Sequence, residues 1–139
     1  MASTAIYDDL KGFLQGALAP MPVLDFDQIE TVLQQQNNQM LVLEEVYAGE
    51  DVIAFGSPRE ICMREEAEFI VHAFVPAPES ASVARALSDQ VTQVLRFQRI
   101  NDLRISRVGR GEPEDLNDGL WTAFSISTTV FRDHHVALP

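Results

Sequence analysis

From the N-terminus, apolar positions first recur at helical spacing. Ile6, Leu10, Phe13, Ala17 and Leu18 fall on one stripe, Ser3 or Thr4 stands where a cap is needed, and Pro20 ends the run. This predicts a first helix, with Asp8 and Asp9 near its positive end. In the next segment Asp25 is placed to cap a short helix whose Phe26, Ile29 and Val32 share a face, and the Gln/Asn run after it reads as a loop. The period then changes. Met40 to Tyr47, "MLVLEEVY", predicts a strand, "AGED" a turn around Gly49, and "VIAF" the start of a return strand that Gly56 and Pro58 break. Ile61 to Val75 is long enough to be the main strand. Phe69, Val71, Ala73 and Val75 take one face of it, and Glu68, Ile70, His72 and Phe74 take the other. One apolar face and one mixed face suit an antiparallel sheet covered on one side. Ser80 or Ser82 opens a second helix, where Val83, Leu87, Val91, Val94 and Leu95 give the clearest period in the chain. Leu103 to Val108 predicts a strand, "GRGEPEDLNDG" a loop, and Leu120 to Phe131 a closing strand with Phe124, Ile126 and Val130 on one face. The order predicts one α+β domain over residues 1–139. Its sheet is expected to be mainly antiparallel, four- to five-stranded, with two helices packed on one face.

Composition supports a single globular unit. With 139 residues and 46% hydrophobic content the chain can bury a core. No apolar run approaches the roughly 18 residues of a membrane span. The first residues lack a basic region, which argues against a signal or transit peptide. The single cysteine, Cys62, permits no internal disulfide and fits synthesis in the cytosol; it is expected to be buried.

Charge changes the picture more. The net charge of −11 is carried by residues 1–80, where 14 acids face only Lys11, Arg59 and Arg64. Residues 81–139 balance seven acids with seven arginines, and Arg96, Arg99, Arg104, Arg107 and Arg110 cluster around the lone Asp102. Nucleic acid should be repelled over most of such a surface. The basic stretch reads as a solvated face with local ion pairs or as an interface for an acidic partner.

The chemical motifs thin out on inspection. "EFIVHAFVPAPES", residues 68–80, joins a strand to a helix as a nucleotide-binding crossover does. Its turn has no glycine, loses two N–H donors to proline and carries Glu79 where an anion would lie, so the nucleotide reading fails. His134 and His135 follow Asp133, but neighbours on an extended chain diverge, which disfavours a shared metal; a C-terminal tail is the expected setting. His72 on the mixed face reads as a surface or interface imidazole. "DLNDG" at Asp115–Gly119 lacks the glycine spacing and the closing Glu of a calcium loop. Glu44–Glu45 and Glu65–Glu66 are strand neighbours and make no acid/base pair unaided. No catalytic constellation, cofactor site or metal site is expected.

The layout resembles the tail terminator (tail-completion) proteins of long-tailed bacteriophages and their prophage remnants. The helix "STAIYDDLKGFLQGAL" leads to "QMLVLEEVY"; "FIVHAFVPAPESA" enters "SVARALSDQVTQVLRF"; "DLRISRVGRGEPE" and "DGLWTAFSISTTVFR" close the chain. The resemblance covers about residues 3–132, while Asp25–Gln39 and the tail beyond Arg132 depart from it. It implies a ring, usually a hexamer, made in the bacterial cytoplasm and located in the virion tail. Such a ring caps the tail tube and meets a head-side connector protein, and it implies no cofactor and no catalytic residue. DNA slides through the ring without being held, and no membrane is involved. A head-to-tail ring needs two complementary patches on each subunit. The charge pattern nominates Arg104 and Arg107, expected on opposite strand faces, with Arg110 in the loop, against Glu44, Glu45, Glu65, Glu66 and Glu68. Two other readings remain: a small homo-oligomeric α+β binding module for an unknown ligand, using the mixed sheet face, and a hydrolase using His72 with Glu68 or Glu66.

Overall fold

The structure, a computed structural model, describes residues 4–28, 39–56, 60–76, 81–96, 98–109, 111–114 and 121–137. Helix α1 is Thr4–Ala17, followed by strand β1 at Val23–Asp25 and a 3-10 turn at Phe26–Gln28. Strands β2 (Met40–Gly56) and β3 (Glu60–Pro76) precede helix α2 at Ala81–Leu95. Short strands β4 (Arg99–Ile100), β5 (Leu103–Val108) and β6 (Glu112–Glu114) lead to β7 at Trp121–Ala137. The sheet order is β1-β2-β3-β7-β5-β4, with β6 on the β5 side of β7.

The class is α+β, as the periods predict, but the sheet is larger and mixed. It has seven strands, and β1 runs parallel to β2 through the pairs Val23–Leu41, Leu24–Val42 and Asp25–Leu43. Asp25, expected to cap a short helix, ends a strand and leads directly into the 3-10 turn Phe26–Gln28; Ile29 and Val32 of that expected helix lie outside the described residues. Strands of two or three residues are too short to show a period of two, which is why β1, β4 and β6 left no pattern.

Three strands of 17 residues dominate. The turn expected at "AGED" is absent: β2 runs straight through it, paired to β3 from Met40–Phe74 to Gly56–Glu60, with register shifts at Glu45/Tyr47 and Val52/Ala54. Gly49 serves a different purpose. The Tyr47 side chain lies over it, and a Cβ at Gly49 would collide with the Tyr47 hydroxyl. Likewise β7 does not stop at Phe131. It pairs with β3 as far as Ala137–Glu60, so His134 and His135 belong to a strand and not to a tail.

Both described helices cover one face. Ile6, Leu10, Leu14 and Leu18 of the first helical stretch join Leu87, Val91 and Leu95 of α2 over Leu41, Leu43, Phe69, Val71, Phe124, Ile126 and Val130. Leu14 takes the buried position in this stripe, while Ala17 is exposed and Phe13 only half-buried, because an i, i+4 ladder from Ile6 selects 10, 14 and 18. The other face is not bare. Met40, Val42, Phe74 and Ala123 are buried there beneath Leu24, Phe26 and Trp121.

The core occupies one end of the long strands. From Tyr47 and Glu66 outward, β2, β3 and the end of β7 continue beyond the helices as a three-stranded arm. Along its β2 edge Val46, Tyr47, Val52 and Ile53 are exposed.

Candidate functional site

A single irregularity in β5 decides how the arginines are displayed. Arg104 lies opposite Phe131, Ile105 opposite Val130 and Arg107 opposite Thr129, with a register shift between Ile105 and Arg107. Residues three apart on a regular strand face opposite ways, which was the expectation for this pair. The bulge at Ser106 inserts one extra residue, so Arg104 and Arg107 return to the same face. That face is the outer one, away from the helices, since Phe131 and Thr129 alternate with the buried Val130. Both arginines are exposed. Arg110 lies outside the described residues.

The acids fall into three settings. Glu66 and Glu68 are exposed on the outer face of β3, opposite Phe131 and Thr129 of β7. The rows across the sheet are therefore Glu66–Phe131–Arg104 and Glu68–Thr129–Arg107. β7 separates the two charges in each row, a distance of two strand spacings or about 10 Å. That spacing is between backbones, and among the described residues no ion pair joins Glu66 to Arg104 or Glu68 to Arg107. Glu66 and Glu68 thus lie on one side of β7 and Arg104 and Arg107 on the other, while the same face also holds Arg64 near Glu66, Asp133 near Arg104 and Glu112 in one groove with Arg107. Glu45 is exposed at the first β2 bulge. Glu44 and Glu65 are engaged within the chain.

Glu44 accounts for His72. The imidazole Nε2 lies 2.8 Å from Glu44 Oε1, and the ring stacks on Phe26 at a centroid distance of 5.3 Å. His72 is 5% exposed, so the surface imidazole expected on the mixed face is instead part of the small outer core. The carboxylate that meets it comes from β2, whereas the hydrolase reading named Glu68 or Glu66. Enclosed by Phe26 and Phe74, the pair is arranged to satisfy a buried polar ring. Cys62, expected to be buried, is half-buried on the arm.

Three further polar groups tie elements together. Asp25 accepts hydrogen bonds from the Tyr7 hydroxyl and, at 2.9 Å, from Lys11 Nζ, which pins α1 to the end of β1. The Tyr7 bond, then the Lys11 bond, hold the Asp25 carboxyl below its usual value of 3.8. Burial, then the same bond, pushes the Tyr7 phenol upward. Arg132 ion-pairs with Asp9 of α1 and, at 2.7 Å, with Asp102 of the β4–β5 turn. Arg64 makes a two-pronged contact to Asp133 at 2.8 and 3.0 Å and lies 4.1 Å over the Phe131 ring. The hydrogen bonds from Arg64 lower the Asp133 carboxyl from its usual 3.8.

On the helix-side face of the arm, sequence reasoning missed a cluster. Glu50 and Glu65 lie directly opposite each other on β2 and β3. His134 of β7 approaches both, with Nε2 3.8 Å from Glu50 Oε2 and Nδ1 3.8 Å from Glu65 Oε1. One sequence signal was available: "VFRDHHVA" contains no glycine or proline, so nothing in it ends the strand at Phe131. His135 points the other way, to Glu60 at 2.7 Å. The two histidines diverge, as adjacent strand residues must.

A shallow outer-face groove of about 270 Å³ is lined by Ile70, Arg107, Gly109, Glu112, Ser125 and Ser127. The calcium-like "DLNDG" segment and the Ala77–Ser80 turn lie outside the described residues. Among the described residues no helix is long and apolar enough to cross a membrane. No protein-family model and no curated protein matches the chain.

Proposed function

We propose that this chain is a structural subunit that assembles head to tail into a closed ring of the tail-terminator kind, capping a phage tail tube and meeting a head-side connector. One observation carries the reading. The outer face holds Glu66 and Glu68 on β3 and Arg104 and Arg107 on β5, with β7 between them. A heterologous ring requires two different patches on one subunit, and these bands are complementary in sign. Joining the arginine band of one copy to the acidic band of the next relieves like-charge repulsion in both. Exposed pairs contribute only about 0–1 kcal/mol each, so several must act together and salt must weaken them.

The arm supports the same reading. Among the described residues β2 has no strand partner on its outer edge beyond Leu43, and exposed Val46, Tyr47, Val52 and Ile53 accompany that edge. A long unpaired edge is a template for pairing with another chain, although Glu45, Glu50 and Asp51 are also exposed along this one. The chain itself performs no chemistry in this role and needs no cofactor. Its acidic surface lets DNA slide past without capture.

That same edge also suits two-fold pairing of β2 with β2 of a second copy, which is the arrangement of a small homo-oligomeric binding module. Negative-stain imaging of the purified protein separates the two. Six-fold rings support the terminator reading, and discrete dimers replace it with the module.

A further inference from the structure

We propose that Glu50, Glu65 and His134 form a binding site for a divalent transition-metal ion of the zinc class. Directly opposed like charges on an antiparallel pair are destabilising, and Glu50 and Glu65 are such a pair on β2 and β3. The row contains its own cation: Arg132 is the β7 partner of Glu65. Its guanidinium, however, is drawn to Asp9 and Asp102 at the core end of the arm. The His134 imidazole, one step further along the same face of β7, comes within 3.8 Å of both glutamates.

The donor chemistry suits the ion. One imidazole nitrogen with two carboxylate oxygens is a set that zinc and its neighbours accept, leaving an open position for water. The three donor atoms lie within 4.8 Å of one another. Bonds of about 2.0–2.2 Å to a common ion bring donors to within roughly 4 Å, so rotation of the Glu50 and Glu65 side chains toward one ring nitrogen would complete the site. A second observation points the same way. Nδ1 of His134 is shielded from solvent and makes no hydrogen bond among the described residues, although the ring as a whole is 35% exposed. A buried polar atom without a hydrogen bond is costly, and coordination would satisfy it. The ligands come from three adjacent strands, so the ion would cross-link the arm.

This site is independent of the ring reading. The experiment is equilibrium dialysis of untagged protein against zinc chloride near pH 7.5, with metal counted by elemental analysis. Wild type should retain close to one zinc per chain. His134→Gln and Glu50→Gln should each weaken binding by roughly tenfold or more, while His135→Gln, altered on the opposite face, should leave it unchanged. Binding should also weaken in acid, because the ligands must be deprotonated. Zinc retention by wild type no greater than by His134→Gln overturns the proposal. So does equal loss in His135→Gln, which would assign the metal to the other face. Circular dichroism of each variant, all altered at partly exposed positions, verifies that the fold is intact.

Discussion

Leu87 is the position where the layering of helix on sheet can be tested most sharply. It lies in α2 at 4% exposure, in one cluster with Val91, Phe124 and Ile126. Replacing it with alanine removes about three buried carbons, or roughly 2.4 kcal/mol at about 0.8 kcal/mol per methylene. The cavity left behind adds to this, so the expected cost is about 2–5 kcal/mol. A domain of this size is stable by only about 5–15 kcal/mol, so the loss is a large fraction of the total. At about 3–5 °C per kcal/mol the melting temperature should fall by roughly 6–25 °C. Gln90, three residues further on the same helix, is exposed, and Gln90→Ala should cost under about 0.5 kcal/mol. Urea unfolding of both variants and wild type at one protein concentration provides the comparison. Equal midpoint shifts for the two variants would show that the buried face of α2 is misassigned.

Gly111 lies against the buried Ser88 of α2, whose Cβ would be 3.1 Å from an added methyl group. Gly111→Ala should therefore destabilise by about 1–3 kcal/mol through overpacking, and Ser88→Ala in the same chain should restore part of the loss; an unchanged urea midpoint for Gly111→Ala refutes the contact. Because Asp25 is held below its usual value of 3.8, its ionised form favours the fold: that contribution is complete above the unfolded value and is lost as pH falls through the folded one. Asp25→Asn should flatten the acid limb of the stability profile below about pH 5, and an unaltered limb would show that the Tyr7 and Lys11 contacts add nothing. With a net charge of −11 per chain, duplex DNA at physiological salt should give no gel shift; a salt-dependent shift at low micromolar protein would assign the arginine band to DNA.

Long periodic elements were legible in the sequence, and relations across strands were not. The five-residue stripe of α2 and the alternation of β3 predicted both elements closely, because each repeats its period several times. The three residues of β1 repeat nothing, and their strand character comes from a parallel partner, Leu41–Leu43. Gly49 signalled a turn by composition alone, yet β3 supplies an unbroken partner and Tyr47 fills the space above the glycine. The bulge at Ser106, which turns Arg107 to the face of Arg104, depends on register with β7 and leaves no local mark. The same holds for the chemistry. Glu44 and His72 meet across 28 residues of chain, and His134 meets Glu50 and Glu65 from a strand that ends the described fold. Spacing along one segment shows neighbours on that segment, whereas these clusters are set by which residues stand opposite one another.

The central claim is head-to-tail assembly through the two charged bands of the outer face. Multi-angle light scattering of wild type and of the Arg104→Ala/Arg107→Ala/Arg110→Ala variant, over a range of salt concentrations, measures it directly. The account predicts a ring-sized mass for wild type at low salt, decreasing as salt rises, and a variant that remains small under every condition. A variant that assembles as fully as wild type at every salt concentration would contradict it and return the arginines to the role of a solvated face.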